Sequence, residues 1–231
     1  MPRTNLVDHE KKVVISVNYK CASSSIIRWF RSNMKNYKHE NTTISNIINR
    51  KYVFDDKHFD KYNNYYRVLI IRNPFNRVIS AYLDKALHNF IPLNNLCKKH
   101  RTSIQALTFR KFVEILYLER NNKMNGHWAP LMDCNKPKKY NKIIKMEFLG
   151  KHMNSLAKKF NYNRFPAKKT IVKKQTVLLA DVPAKKLKAM NKNDVKNYKN
   201  YFDKEIVQMV NEIYKDDLKT FKYTYEKFAA Q

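Results

Sequence analysis

Glycine is almost absent: two of 231 residues, Gly126 and Gly150, both isolated. A Walker A loop needs two glycines and a GxGxxG fingerprint needs three. Neither motif is present, so any phosphate loop in this chain works without glycine. Cysteine is scarce too. Cys21, Cys97 and Cys134 are widely spaced and odd in number, and no CxxC or Cys/His zinc spacing occurs. This argues against a disulfide scaffold and fits a reducing compartment. No apolar run approaches the roughly 20 residues that cross a bilayer. The opening MPRTNLVDHEKK lacks the apolar stretch of a signal peptide. The expectation is a soluble, cytoplasmic chain without a membrane span. Acidic residues are few, 19 Asp+Glu against 47 Lys+Arg, for a net charge of +28.

What is there is enough for a core. Hydrophobic residues make up 43% and aromatic residues 13%, which excludes general disorder. The length suits one domain, residues 1–231. The charge points to polyanionic partners: nucleic acid, acidic glycan, a phosphate-bearing cofactor or an anionic surface. Compositional drift toward Lys, Asn, Ile and Tyr accounts for it equally well, so charge alone names no partner.

Val13–Val17 (VVISV) reads as a buried strand. It ends in NYKCASSS, and Ile26, Ile27, Phe30 and Met34 follow at helical spacing, with the serines as expected N-caps. Arg67–Ile71 (RVLII) is a second strand. Asn73-Pro74 then opens a helix whose apolar residues are Phe75, Val78, Ile79, Tyr82 and Leu83. The strand–turn–helix unit thus occurs twice. This predicts an α/β fold with a P-loop-like, central, mainly parallel sheet flanked by helices. Further expectations are a helix over Thr108–Asn121, a loop at Gly126–Pro130 and a third strand at Ile143–Met146. A helix at Phe148–Phe160 and a C-terminal helix at Asp203–Tyr214 complete the set. Lys35–Asn64 is polar, and Phe165–Val177 basic and irregular.

Two segments carry candidate chemistry. Lys20, Cys21, Ala22, Ser23, Ser24 and Ser25 join a strand to a helix N-terminus, where free backbone N–H groups and the dipole favour an anion. An ordinary serine-capped helix beside a surface lysine explains the same residues. Arg72 lies at the carboxyl end of strand two, where ligands of open α/β sheets sit. Arginine grips phosphate bidentately. Ser80 is two turns into the next helix. Arg77 reads either as a third anion contact or as a solvated helix arginine.

YKCASSS and RVLIIRNPFNRVISAYLDK together resemble the two cofactor motifs of the sulfotransferases, and those of the Golgi-type carbohydrate sulfotransferases in particular. GHWAPLMDC, IIKMEFL and IYKDDLKTFKY resemble three further segments of that family. The resemblance follows the family's order over most of the chain, and the second motif is its most specific part. It implies transfer of a sulfuryl group from 3′-phosphoadenosine 5′-phosphosulfate (PAPS) to an acceptor hydroxyl, a carbohydrate hydroxyl being the expected one, by in-line displacement without a metal. Lys20 and the serines would hold the 5′-phosphosulfate, and Arg72 and Ser80 the 3′-phosphate. Lys173 and Lys174, near the family's late cofactor-covering loop, read as phosphate contacts or as a solvated run. His127 is the first candidate for general base, or else a loop histidine that orders its neighbours. Glu147 is the second candidate. Trp128 reads as a stacking platform or a core anchor. An acidic acceptor suits the charge, and no specific nucleic acid is implied.

The chain departs from the family pattern in four places: Tyr19 replaces a proline, Asn73 replaces an acid, Cys134 lacks a neighbouring cysteine, and no N-terminal anchor is seen. The family usually lies in the Golgi lumen, which stands as the alternative location. Two other functional classes compete. A P-loop nucleotide kinase explains strand–loop–helix but lacks the glycines. A non-catalytic polyanion-binding protein explains the charge but not the paired motifs.

Overall fold

The computed structural model describes residues 3–34, 53–54, 56–133, 137–166, 178–190, 195 and 198–229. The chain forms two compact units, Met1–Arg72 with Leu131–Lys168, and Asn73–Pro130 with Lys169–Gln231.

The first unit is built on a five-stranded sheet. Its strands are β1 (Arg3–Asp8), β2 (Val13–Asn18), β3 (Val53–Phe54), β4 (Tyr66–Ile71) and β5 (Lys142–Lys145), in the order β3-β1-β2-β4-β5. β2 pairs in parallel with β4, Val13 opposite Tyr66 through Val17 opposite Ile70. β4 pairs in parallel with β5, Val68 opposite Lys142 through Ile71 opposite Lys145. β1 is antiparallel to both β2 and β3. Four strands therefore run one way and β1 the other, the expected mainly parallel sheet. β2 is buried along its whole length, which is why its apolar run is continuous rather than alternating.

Helices α1 (Ser23–Ser32) and α5 (Leu149–Lys159) share one apolar cluster with the sheet. Ile26, Ile27, Trp29 and Phe30 of α1 and Met153, Leu156 and Ala157 of α5 pack with Ile15, Val17, Val68, Ile70 and Ile144. Trp29 anchors α1 further: its indole N–H donates to Asn163 O at 2.8 Å, and its ring meets Tyr162 and Phe165 edge-on. Tyr162 in turn donates to Asp8 at the end of β1, at 2.7 Å. Burial first, and then the Asp8 carboxylate, pushes the Tyr162 phenol well above its usual range.

The second unit is helical: α2 (Pro74–Leu87), α3 (Ile91–Lys99), α4 (Phe109–Leu118), α6 (Ala184–Ala189), α7 (Lys204–Ile213), α8 (Lys215–Phe221) and α9 (Tyr225–Ala229). The expected apolar face of α2 is buried: Phe75, Val78, Ile79, Tyr82 and Leu83. On α4 Phe109, Phe112, Val113 and Leu116 are buried, and Tyr117 is only partly so. Thr108 caps α4 by accepting from Lys111 N at 3.1 Å, and Asp203 caps α7 by accepting from Ile206 N at 2.9 Å.

Several boundaries differ from expectation. β1, β3, α3, α6, α8 and α9 are not among the expected elements. β1 has only Leu6 and Val7 as apolar residues and owes its form to pairing with β2. In α3 only Leu93 and Cys97 are buried, too thin a stripe to show as a period. The expected helix at Phe148–Phe160 begins instead with a 3-10 turn, Met146–Phe148. Residues 35–52 of the polar stretch and 167–177 of the basic one lie outside the described residues. Among the described residues no helix is long and apolar enough to cross a membrane.

Candidate active site

The loop after β2 is held from below. Asn18 Nδ2 donates to Ile70 O of β4 at 3.1 Å, and Asn18 O accepts from Cys21 N at 3.2 Å. In this loop the backbone turns left-handed twice, at Lys20 (φ 65°) and, just past Cys21, at Ala22 (φ 59°). Each such turn costs a non-glycine residue about 1–2 kcal/mol. This is where a glycine-rich loop would place its glycines, and the chain meets the geometry without them.

The serines do not cap α1 as expected. The N-cap is Ala22, whose side chain cannot accept, and Ser23–Ser25 form the first helical turn. The left-handed Ala22 starts the helix one residue earlier than a serine cap would. Its carbonyl accepts from Ser25 N and Ile26 N, both at 3.1 Å. The N–H groups of Ala22, Ser23 and Ser24 take no partner among the described residues, and they point along the positive end of the helix dipole. Ser23 is half-buried and Ser24 and Ser25 are exposed. Cys21 is the exception in this loop. Its side chain is fully buried in the apolar cluster under α1, so the thiol faces the core.

Arg72 and Lys20 are brought together. β2 and β4 are parallel neighbours, so their carboxyl ends meet at one edge, and Arg72 Nη1 donates to Lys20 O at 2.9 Å. The arginine thus braces the strained loop. β5 is the next strand along, and Glu147 lies half-buried in the 3-10 turn just past its carboxyl end. One residue further, Phe148 is 58% exposed, its ring edge-on to His152. His152, unnoticed in the sequence, has its imidazole pKa lowered, first by burial and then by Lys142 and Lys151. Neither its residue type nor its spacing marked it; the turn at 146–148 places it.

The remaining candidates belong to the second unit. Asn73 is the N-cap of α2: its Oδ1 accepts from Phe75 N at 3.0 Å, and Pro74 follows. An asparagine does here the capping work of the acid it replaces. Ser80 is half-buried on α2, and its hydroxyl takes no partner among the described residues. His127 is half-buried, with Phe90 edge-on at 5.0 Å. Asn125 Oδ1 accepts from His127 N at 3.0 Å and lies 2.8 Å from His127 Nδ1. A carbonyl oxygen only accepts, so Nδ1 carries a proton, and in the neutral ring Nε2 is the basic nitrogen. Trp128 is 3% exposed and belongs to the apolar core of the unit, which settles it as an anchor.

Arg77 is the clearest correction. It is 1% exposed, not a solvated helix arginine. Its Nη2 donates to Ala129 O, Asp217 lies 3.9 Å away, and its guanidinium sits over the Tyr214 ring at 5.4 Å. Lys173, Lys174 and Cys134 lie outside the described residues. Among those described, no group of three or more His, Cys, Asp or Glu side chains is placed to hold a metal ion.

The profile of the Sulfotransferase family matches residues 3–224. The chain belongs to the sulfotransferase family. No curated protein and no solved structure matched the chain. Membership carries an enzymatic, PAPS-using sulfuryl-transfer function at the level of the family. The donor set fits such a group. Unpartnered N–H groups at a helix N-terminus, serine hydroxyls, a lysine and an arginine on one sheet edge are donors of the kind that suit a phosphosulfate.

Proposed function

We propose that this sulfotransferase moves a sulfuryl group from PAPS to a hydroxyl of a carbohydrate, one that is itself acidic, by in-line displacement. The observation that carries the reading is the join of Arg72 to the Lys20 loop, beside the open N-terminus of α1. Residues 1–231 are read as one sulfotransferase-like domain, because the family's span of 3–224 takes in both compact units. The Golgi-type resemblance supports the carbohydrate acceptor, and the +28 charge its acidity.

PAPS supplies the sulfuryl group when bound. The N–H groups of Ala22, Ser23 and Ser24 and the serine hydroxyls hold the 5′-phosphate, with Cys21 packing the loop from below. Arg72, with Ser80, holds the 3′-phosphate, and Lys173 and Lys174 are read as further contacts to the cofactor's phosphates. His127 Nε2 takes the proton of the acceptor hydroxyl as its oxygen bonds to sulfur; Glu147 is the alternative base. Lys20 Nζ neutralises the charge that collects on the bridging oxygen as the S–O bond to phosphate breaks. As in phosphoryl transfer, most of the catalysis is positioning and electrostatics.

The deciding experiment is a calorimetric titration with 3′-phosphoadenosine 5′-phosphate (PAP), the product, with ADP as competitor. Tight binding that needs the 3′-phosphate is expected, weakened more than about tenfold in Lys20→Ala and in Arg72→Ala, since a charge-assisted bond is worth about 1.5–3 kcal/mol. Binding no tighter than that of ADP, and indifferent to both substitutions, overturns the reading. It would leave polyanion binding in its place.

A further inference from the structure

The loop that carries His127 hangs from two successive carbonyls. Trp128 O accepts from the Tyr214 hydroxyl at 2.6 Å, and Ala129 O accepts from Arg77 Nη2. The turn closes on itself through Trp128 N and Ala129 N, which donate to Asn125 O at 3.0 and 2.8 Å. Asn125 also orients the His127 ring through its side chain. The two outside donors form one packed pair, the Arg77 guanidinium over the Tyr214 ring, with the fully buried Asp217 balancing the charge. All of these groups lie in the second unit. Arg77 comes from the helix that follows Arg72, and Tyr214 and Asp217 come from the end of α7 and from α8.

This arrangement is a poor way to gain stability. Arg77 Nε and Nη1 are buried without a partner, and the ion pair to Asp217 is long. Burying a guanidinium so incompletely satisfied costs free energy that an apolar pair of similar volume would not. What the arginine supplies is direction: a donor fixed at one carbonyl, two residues from His127.

We propose that Arg77, with Tyr214, is a positioning residue of the sulfuryl-transfer reaction, holding the 125–129 turn so that His127 Nε2 meets the acceptor hydroxyl. The inference rests on His127 being the base in the function proposed above. Arg77 touches neither cofactor nor acceptor in this scheme. Losing it therefore lowers kcat while leaving PAP binding and the KM for PAPS unchanged.

The test uses the double variant Arg77→Met/Asp217→Leu, which removes the charge and its counter-ion together, and Tyr214→Phe, which removes one hydroxyl. Turnover of PAPS is followed with an unsulfated acidic glycan as acceptor, PAP affinity by calorimetry, and the His127 ring signals by NMR. The expected result is a thermal midpoint no lower in the double variant and PAP affinity within twofold. With these go a kcat reduced tenfold or more in both variants and a displaced His127 signal. If both variants keep kcat within twofold, or if the His127 signal stays in place, the proposal is overturned. Tyr214→Phe decides the matter should the double variant not fold. A wild type that binds no PAP would instead sink the proposed function, while the His127 signal still reports on whether Arg77 and Tyr214 set the turn.

Discussion

Ala22 holds a backbone conformation that alanine resists, and it does so at the N-cap of α1. Such strain persists where the surrounding structure imposes it, and it clusters at ligand clamps. Here the ties of Asn18 to Ile70 O and of Arg72 to Lys20 O impose it. The Lys20 and Arg72 pairing was readable in the sequence, because two parallel strands put their carboxyl ends at one edge. The left-handed turns were not. Their usual sequence mark is glycine, and this chain does not use it. Ala22→Gly is therefore expected to stabilise the protein by about 1 kcal/mol, since glycine enters the left-handed region without a Cβ clash. Urea unfolding measures this directly. A variant less stable than wild type would mean that the loop is not strained at Ala22. Lys20 is left out of such a test, because its side chain is wanted for chemistry.

Two helices begin in different ways, and the difference separates stability from binding. Asn73 caps α2 with its side chain, whereas the serines of α1 cap nothing. The expectation was reasonable in both places, since Ser and Asn are both good N-caps. It failed at α1 because the left-handed Ala22 closes the first turn through its own carbonyl and draws the serines into the helix. Asn73→Ala should cost about 1 kcal/mol, the ordinary worth of a cap. Ser23→Ala and Ser24→Ala should each leave the unfolding free energy within about 0.5 kcal/mol, while weakening PAP binding measurably. Urea melts and calorimetry on the three variants check both halves. A serine variant as destabilised as Asn73→Ala would restore the capping role and weaken the case for these hydroxyls as ligands. Elements with a clear period, such as α2, α4 and α7, were readable from their apolar stripes. β1 and α3 were not, because pairing with β2 in one case, and two buried side chains in the other, make them what they are.

The whole molecule carries an excess of positive charge that its own carboxylates cannot offset, 47 basic residues against 19 acidic. Many of those carboxylates are already engaged. Glu119 meets Lys99 and His100, and hydrogen bonds from Lys99, His100 and Asn122 hold its carboxyl down to about 2; Asp181, Asp203 and Glu205 all meet Arg110. The remaining cations repel one another, and that repulsion favours the expanded chain. Salt should relieve it. The Debye length falls from about 30 Å at 0.01 M to about 10 Å at 0.1 M, so repulsion between distant lysines is largely screened over that range. If screening recovers about 1 kcal/mol, the thermal midpoint of the free protein rises by about 2–4 °C. PAP affinity should move the other way over the same range, because its site attracts an anion that salt also screens. The two slopes are read from thermal melts and titrations at matched ionic strengths. A melting point that does not change with salt would mean that the lysines are spread too thinly to strain the fold. In that case the +28 charge would say little about either stability or an acidic acceptor, and compositional drift would suffice to explain it.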